Sequence, residues 1–126
     1  MSIKEHWKVE PDEHDYPAAH DYLSLVAAEA TAKALVEALK AAPITIRKAK
    51  DLLRASGLPV LPDSNVHVVR DLEKVRRGEH LSPILLVRGN FTGGAPLVIA
   101  DGYHRICASY HVDEDADIPC RLVSAP

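Results

Sequence analysis

Apolar residues recur at helical spacing in the first half of the chain and cluster in short β-branched runs in the second. From Ala18 to Ala42 the residues are good helix formers, with Leu23, Val26, Ala30, Leu35 and Leu39 at helical intervals and Pro43 closing the run. Thr45 is placed to cap a second helix through Ser56, burying Ile46, Ala49, Leu52 and Leu53, with Gly57 as its stop. An extended stretch, Leu58–Pro62, is expected to be a strand, after which Asp63 or Ser64 starts a third helix. That helix turns Val68, Val69, Leu72 and Val75 inward and ends at Gly78. Ile84–Arg88 and Leu97–Ala100 then have strand character, and the loop chemistry of residues 89–96 predicts a hairpin. A helix over Tyr103–His111, an acidic loop over Asp113–Asp117 and a strand over Ile118–Val123 follow, and Pro119 points to an edge or a strand start. Ahead of all this, Met1–Tyr16 is a polar arm punctuated by Pro11 and Pro17, whose Trp7 is expected to dock on the body.

These elements predict an α/β (α+β) fold, a small mixed sheet with helices, preceded by an N-terminal helical pair. At 126 residues and 47% hydrophobic, the chain can bury one core, so residues 1–57 (arm and helical extension) and 58–126 (α/β domain) are expected to pack as one globular unit. A formal charge of −3 gives no global attraction to a polyanion, which disfavours direct DNA binding. The apolar-biased stretch Leu23–Leu39 is interrupted by Glu29, Lys33 and Glu37, too polar for a bilayer span. Only two cysteines occur, Cys107 and Cys120, and no apolar signal core follows the N-terminus, so a cytoplasmic location is expected.

The chemistry concentrates in Leu97–Arg105, where an apolar run stops at Asp101-Gly102 and a helix carrying His104 and Arg105 begins. Asp101 is positioned to cap that helix, Gly102 to turn the backbone and admit a ligand, and the N–H groups of Tyr103, His104 and Arg105 to face an anion. Arg105 offers a planar fork of donors matched to phosphate oxygens, and His104 offers one hydrogen bond or a charge. Tyr103 is equally suited to stacking on a base and to packing on the hairpin.

Three segments, Leu81–Val87, Ile99–Arg105 and Asp117–Val123, together resemble the ParB/sulfiredoxin superfamily, in which a Gly-x-His-Arg or related motif opens a helix after a sheet strand. The resemblance covers roughly Leu58 to Val123 and implies that Gly102, Tyr103, His104 and Arg105 hold nucleotide phosphates. Sulfiredoxins carry their reactive cysteine where this chain has Tyr103, which disfavours sulfinic-acid repair. Chromosome-partitioning members continue into a helix-turn-helix, and none follows within these 126 residues. The free serine kinases carry Asp-Gly-His-His-Arg, one residue different from Asp101–Arg105, so phosphoryl transfer is the nearest chemical analogy.

The resemblance thus implies a nucleotide- or phosphate-binding protein, with small-molecule phosphotransferase activity as the enzymatic reading and ATP, ADP or CTP with Mg²⁺ as the ligand. A non-catalytic nucleotide-sensing or protein-interaction module of the same fold is the alternative. Transfer needs a carboxylate to orient the acceptor hydroxyl; Asp101 is nearest the motif, and Asp63, Asp71 and Glu79 are further candidates. His104 and His111 are two helical turns apart and do not form a zinc pair. His6, His14 and His20 lie among acidic residues, and Asp113, Glu114, Asp115 and Asp117 form an acidic run, but hydrated polar segments are the expected reading and no metal ligands are assigned. Arg47, Lys50 and Arg54 form one charged face that either extends the phosphate surface or is simply solvated. Cys107 is expected to be a packed thiol, not a nucleophile. No Walker loop or Gly-x-Ser-x-Gly is present.

Overall fold

The computed structural model describes residues 4–90 and 95–125. In chain order these form β1 (His6–Trp7), α1 (Asp15–Val26), α2 (Glu29–Ala41), β2 (Ile44–Lys48), α3 (Ala49–Ser56), α4 (Val66–Arg76), β3 (His80–Leu81), β4 (Ile84–Asn90), β5 (Ala95–Asp101), α5 (Tyr103–Val112) and β6 (Asp117–Ser124). The fold is mixed α/β. Its main sheet has the order β2-β6-β4-β5, with β4 and β6 parallel and the other neighbours antiparallel. A separate two-stranded parallel sheet joins β1 to β3.

Alternation along β4 divides the interior between the two faces of the main sheet. Ile84 and Leu86, with Ile99, Ile118 and Cys120, meet α3, α4 and α5, while Leu85 and Val87, with Ala100, meet Leu23 of α1 and Leu35, Val36 and Leu39 of α2. The hairpin of β4 and β5 forms as expected, although residues 91–94 of its loop lie outside the described residues. Trp7 packs against the α3–α5 side, so the arm is anchored, and Lys8 N–H donates to the Leu81 carbonyl at 2.8 Å.

Four expectations need correction. The run Ala18–Ala42 is two helices, with Ala27 and Ala28 extended between them. One continuous helix over that span would be about 37 Å long, and the bend lets the apolar stripes of α1 and α2 lie on the same sheet face. His20 and Glu29 fasten the corner at 2.8 Å. Thr45 caps nothing: the β-branched Ile44-Thr45-Ile46 forms an edge strand on β6, and α3 begins only at Ala49. Leu58–Pro62 is not a strand; Pro59 and Pro62 lack the N–H groups a ladder needs. Pro119 lies inside the sheet, paired with Ile46, but one residue ahead of the first β4–β6 pair, Ile84 with Cys120, so the N–H it lacks is at the mouth of that ladder. Among the described residues no helix is long and apolar enough to cross a membrane.

Candidate functional site

The strand-to-helix corner opens on a cavity of about 330 Å³. Gly102, His104, Arg105 and Asp101 reach it from the β5–α5 junction, His67, Arg70, Asp71 and Lys74 from one side of α4, and Lys8, Asp12, His14 and Asp15 from the N-terminal segment. The α4 set repeats at i, i+3, i+4 and i+7, the spacing of one helical stripe, flanking the buried Val68, Leu72 and Val75, with Asp71 at the border between the two. That polar stripe is visible in the sequence as the signal for the α4 contribution, of which the candidates above include only Asp71.

Gly102 is the first cap position of α5, at φ 110°, and no side chain caps the helix. A Cβ there would run into Ile84 Cδ1 and come within 3.0 Å of Arg105 Nη2. The glycine is therefore required by the packing beneath it as well as by its backbone. Asp101 does not act as the cap. Its carboxylate accepts from Arg105 Nη2 instead, which leaves the first amides of α5 without a protein acceptor among the described residues.

Arg105 is held on every side. Its Nη1 donates to the Ser82 carbonyl at 2.7 Å and lies 3.3 Å from Asp15 Oδ2, and its guanidinium is 13% exposed. Ser82 Oγ in turn donates to Asp15 and accepts from the Asp12 N–H at 2.9 Å. The guanidinium expected to grip phosphate is thus occupied by Asp15 and Asp101, neither of them in the acidic loop that follows α5. Burial pushes the Asp101 carboxyl up to about 6, against the Arg105 charge and with the help of Asp15.

The free cations are on α4: among the described residues Arg70 and Lys74 have no ion-pair partner, whereas Lys8 is paired with Asp12 at 2.6 Å. Between them, Asp71 is only 9% exposed and accepts no hydrogen bond among the described residues. Burial raises its pKa, opposed by Lys74, Arg105, His104 and Arg70. His104 lies against His67 with ring centres 4.6 Å apart and planes inclined by 46°. Burial and the His67 charge lower its pKa, so at neutral pH His104 offers a hydrogen bond and not a charge.

The other sequence candidates are placed elsewhere. The Tyr103 ring packs on the α3–α5 core, its hydroxyl donates to the Pro59 carbonyl, and it does not line the cavity. Asp63 and Glu79 do not line it either. Nor do Arg47, Lys50 and Arg54: Arg47 is on β2, Lys50 meets Asp115 at 2.5 Å, and Arg54 meets Asp51 at 3.1 Å. The acidic run is neutralised in part by that Lys50 contact and by Lys48 on Asp117 at 2.8 Å. His111 is bonded to the Leu61 carbonyl at 2.6 Å. Cys107 and Cys120 are free and buried, and burial raises both thiols, Cys120 to about 11, away from nucleophilic range. Asp12, His14 and Asp15, expected to be part of a hydrated arm, bring one donor atom each within 4.8 Å of one another.

No protein-family model, curated protein or solved structure matched this chain.

Proposed function

We propose that this protein is a ParB/sulfiredoxin-like nucleotide- or phosphate-binding protein of the cytoplasm that transfers a phosphoryl group to a small molecule. One observation carries the reading: an uncapped helix start, two cations and a buried carboxylate, all three side chains without a bonded partner among the described residues, face the same cavity. Helix amides and the Arg70 and Lys74 charges suit a phosphate, and each is stronger for the partial exclusion of water. Asp71 suits the acceptor: a hydroxyl placed against it gives up its proton as its oxygen bonds to phosphorus and the bond from phosphorus to the leaving oxygen breaks. Arg105 positions Asp101 and Asp15 and closes the floor.

Such transfer normally uses Mg²⁺, which binds through one or two carboxylates plus the substrate's own phosphates. Asp12 and Asp15 would hold the ion beside the cavity, Asp12 exchanging its Lys8 contact and Asp15 using the carboxylate oxygen not bonded to Ser82 and Arg105, and the ion would neutralise charge on the transferred group. The alternative, a non-catalytic nucleotide-sensing or interaction module of the same fold, is favoured by the engagement of Arg105 with its own carboxylates.

Calorimetry with ATP, ADP and CTP, with and without Mg²⁺, tests the binding claim. At least one should bind, and Arg70→Ala with Lys74→Ala should weaken it about tenfold or more while the fold is kept. Heat from none of the three, or an unchanged affinity in the double variant, overturns it. Asp71→Asn separates the two readings, since it should abolish transfer of label from γ-labelled nucleotide to an acceptor pool while nucleotide affinity is retained.

A further inference from the structure

Four histidines line the cavity at the β5–α5 corner, and their surroundings tell them apart. His14 belongs to the N-terminal segment, with its side chain 81% exposed and Nε2 3.5 Å from Asp15 Oδ1. His80 lies face to face with His6 across the β1–β3 ladder, ring centres 5.5 Å apart. His67 is the second residue of α4, but its own amide and the next are taken by the Asn65 side chain. His104 has the matching position on α5, the second residue of a helix whose first amides have no acceptor among the described residues. Its ring touches the rings of His67 and Tyr103, and among the described residues no group bonds to its nitrogens.

A phosphoryl group joined to an imidazole nitrogen presents the same oxygens as a free phosphate, so a helix tip with free N–H groups holds it in the same way. Arg70 and Lys74 line the same cavity and add positive charge. A separate sign that this corner takes a guest is Asp71, 9% exposed and with no hydrogen-bond donor to it among the described residues. Burial, then the His67 charge, keep the His104 ring neutral, and the Asp71 charge pulls the other way. A neutral ring has a nitrogen lone pair to give, and a nearby carboxylate offsets the positive charge that the ring gains when it gives it.

We propose that His104 is itself a phosphoryl acceptor: with a nucleoside triphosphate bound and no hydroxyl beside Asp71, the γ-phosphoryl group passes to a His104 ring nitrogen and rests on the α5 amides. This depends on the nucleotide reading above and adds to it a modification site on the chain itself. The unprotonated ring nitrogen gives its lone pair to the γ-phosphorus, the bond from that phosphorus to the β,γ-bridging oxygen breaks, and the nucleoside diphosphate leaves with the electron pair. The other ring nitrogen keeps its proton, so the ring becomes cationic and no base is needed.

Incubation of the full chain with γ-labelled ATP or CTP and Mg²⁺, without any acceptor, tests the proposal. Label is expected to approach about one phosphoryl group per chain, labile in acid and stable in alkali as a phosphorus–nitrogen bond is. Trypsin releases Gly89–Arg105 with His104 as its sole histidine, and mass spectrometry in alkali should find the added mass there. His104→Gln should lose the label while keeping its thermal unfolding midpoint; the peptide measurement on the unaltered chain gives the answer by itself if that variant does not fold. Acid-stable label, or added mass on any other peptide, overturns the proposal. Absence of label from protein that binds ATP or CTP on calorimetry also overturns it and leaves the nucleotide reading standing, whereas binding of neither nucleotide removes both.

Discussion

Helices α4 and α5 begin in opposite ways. At the start of α4 the Asn65 side chain accepts from the His67 N–H at 3.0 Å and the Val68 N–H at 3.3 Å, so the helix closes on itself. At the start of α5 a glycine with positive φ supplies no such group, and the acid that precedes it turns to Arg105. A satisfied start is a structural terminus, whereas an open one beside a cavity is available to a ligand. The two helices therefore divide the work: α4 contributes side-chain charge from its middle, and α5 contributes backbone from its tip.

The difference breaks most severely at Gly102. Gly102→Ala places a methyl against Ile84 and Arg105 and forces a non-glycine residue into the left-handed region, so a loss of about 3 kcal/mol is expected in urea denaturation. A loss under about 1 kcal/mol would mean that the corner relaxes freely.

The next effect is set by pH. Asp101 is raised to about 6 in the folded state and has an ordinary value of 3.8 when released. Between those values the folded protein holds a proton that the unfolded chain does not, so this group's contribution to stability is fullest below that window and is lost as pH rises through it. The slope is at most about 1.4 kcal/mol per pH unit for one proton, and Asp101→Asn should flatten it. Denaturation midpoints from pH 4 to pH 7 measure this, and an unaltered slope in the variant would assign it to other groups.

The smallest effect is at the other helix. Asn65→Ala should cost about 1 kcal/mol and leave nucleotide affinity unchanged, because that cap faces its own helix. A lost affinity on calorimetry would show that α4 positioning depends on its first turn.

Much of this architecture was legible in residue order. The hairpin, α4, α5 and the closing strand follow from spacing and from Gly57, Gly78 and Gly102. What could not be read is of two kinds. The break at Ala27-Ala28 has no proline or glycine to announce it, and only the sheet face made by Leu85, Val87 and Ala100, distant in sequence, explains it. The ion network around Arg105 draws Asp15 from 90 residues away, a partner no local pattern names. At the cavity itself the motif residues His104 and Gly102 were visible, while Arg70 and Lys74 became significant only once α4 was seen to lie alongside.

The β1–β3 ladder has a bearing on how the molecule would be handled in the laboratory. Because it ties residues 6–7 to residues 80–81, the segment that follows it, through Asp15, forms a removable wall of the cavity at the β5–α5 corner. A protein cut back to Tyr16 would lose Lys8, Asp12 and Asp15 together and leave Arg105 with Asp101 as its only carboxylate. The opening of the chain is thus a tethered side of the vessel, and tags or trimming there alter the cavity itself.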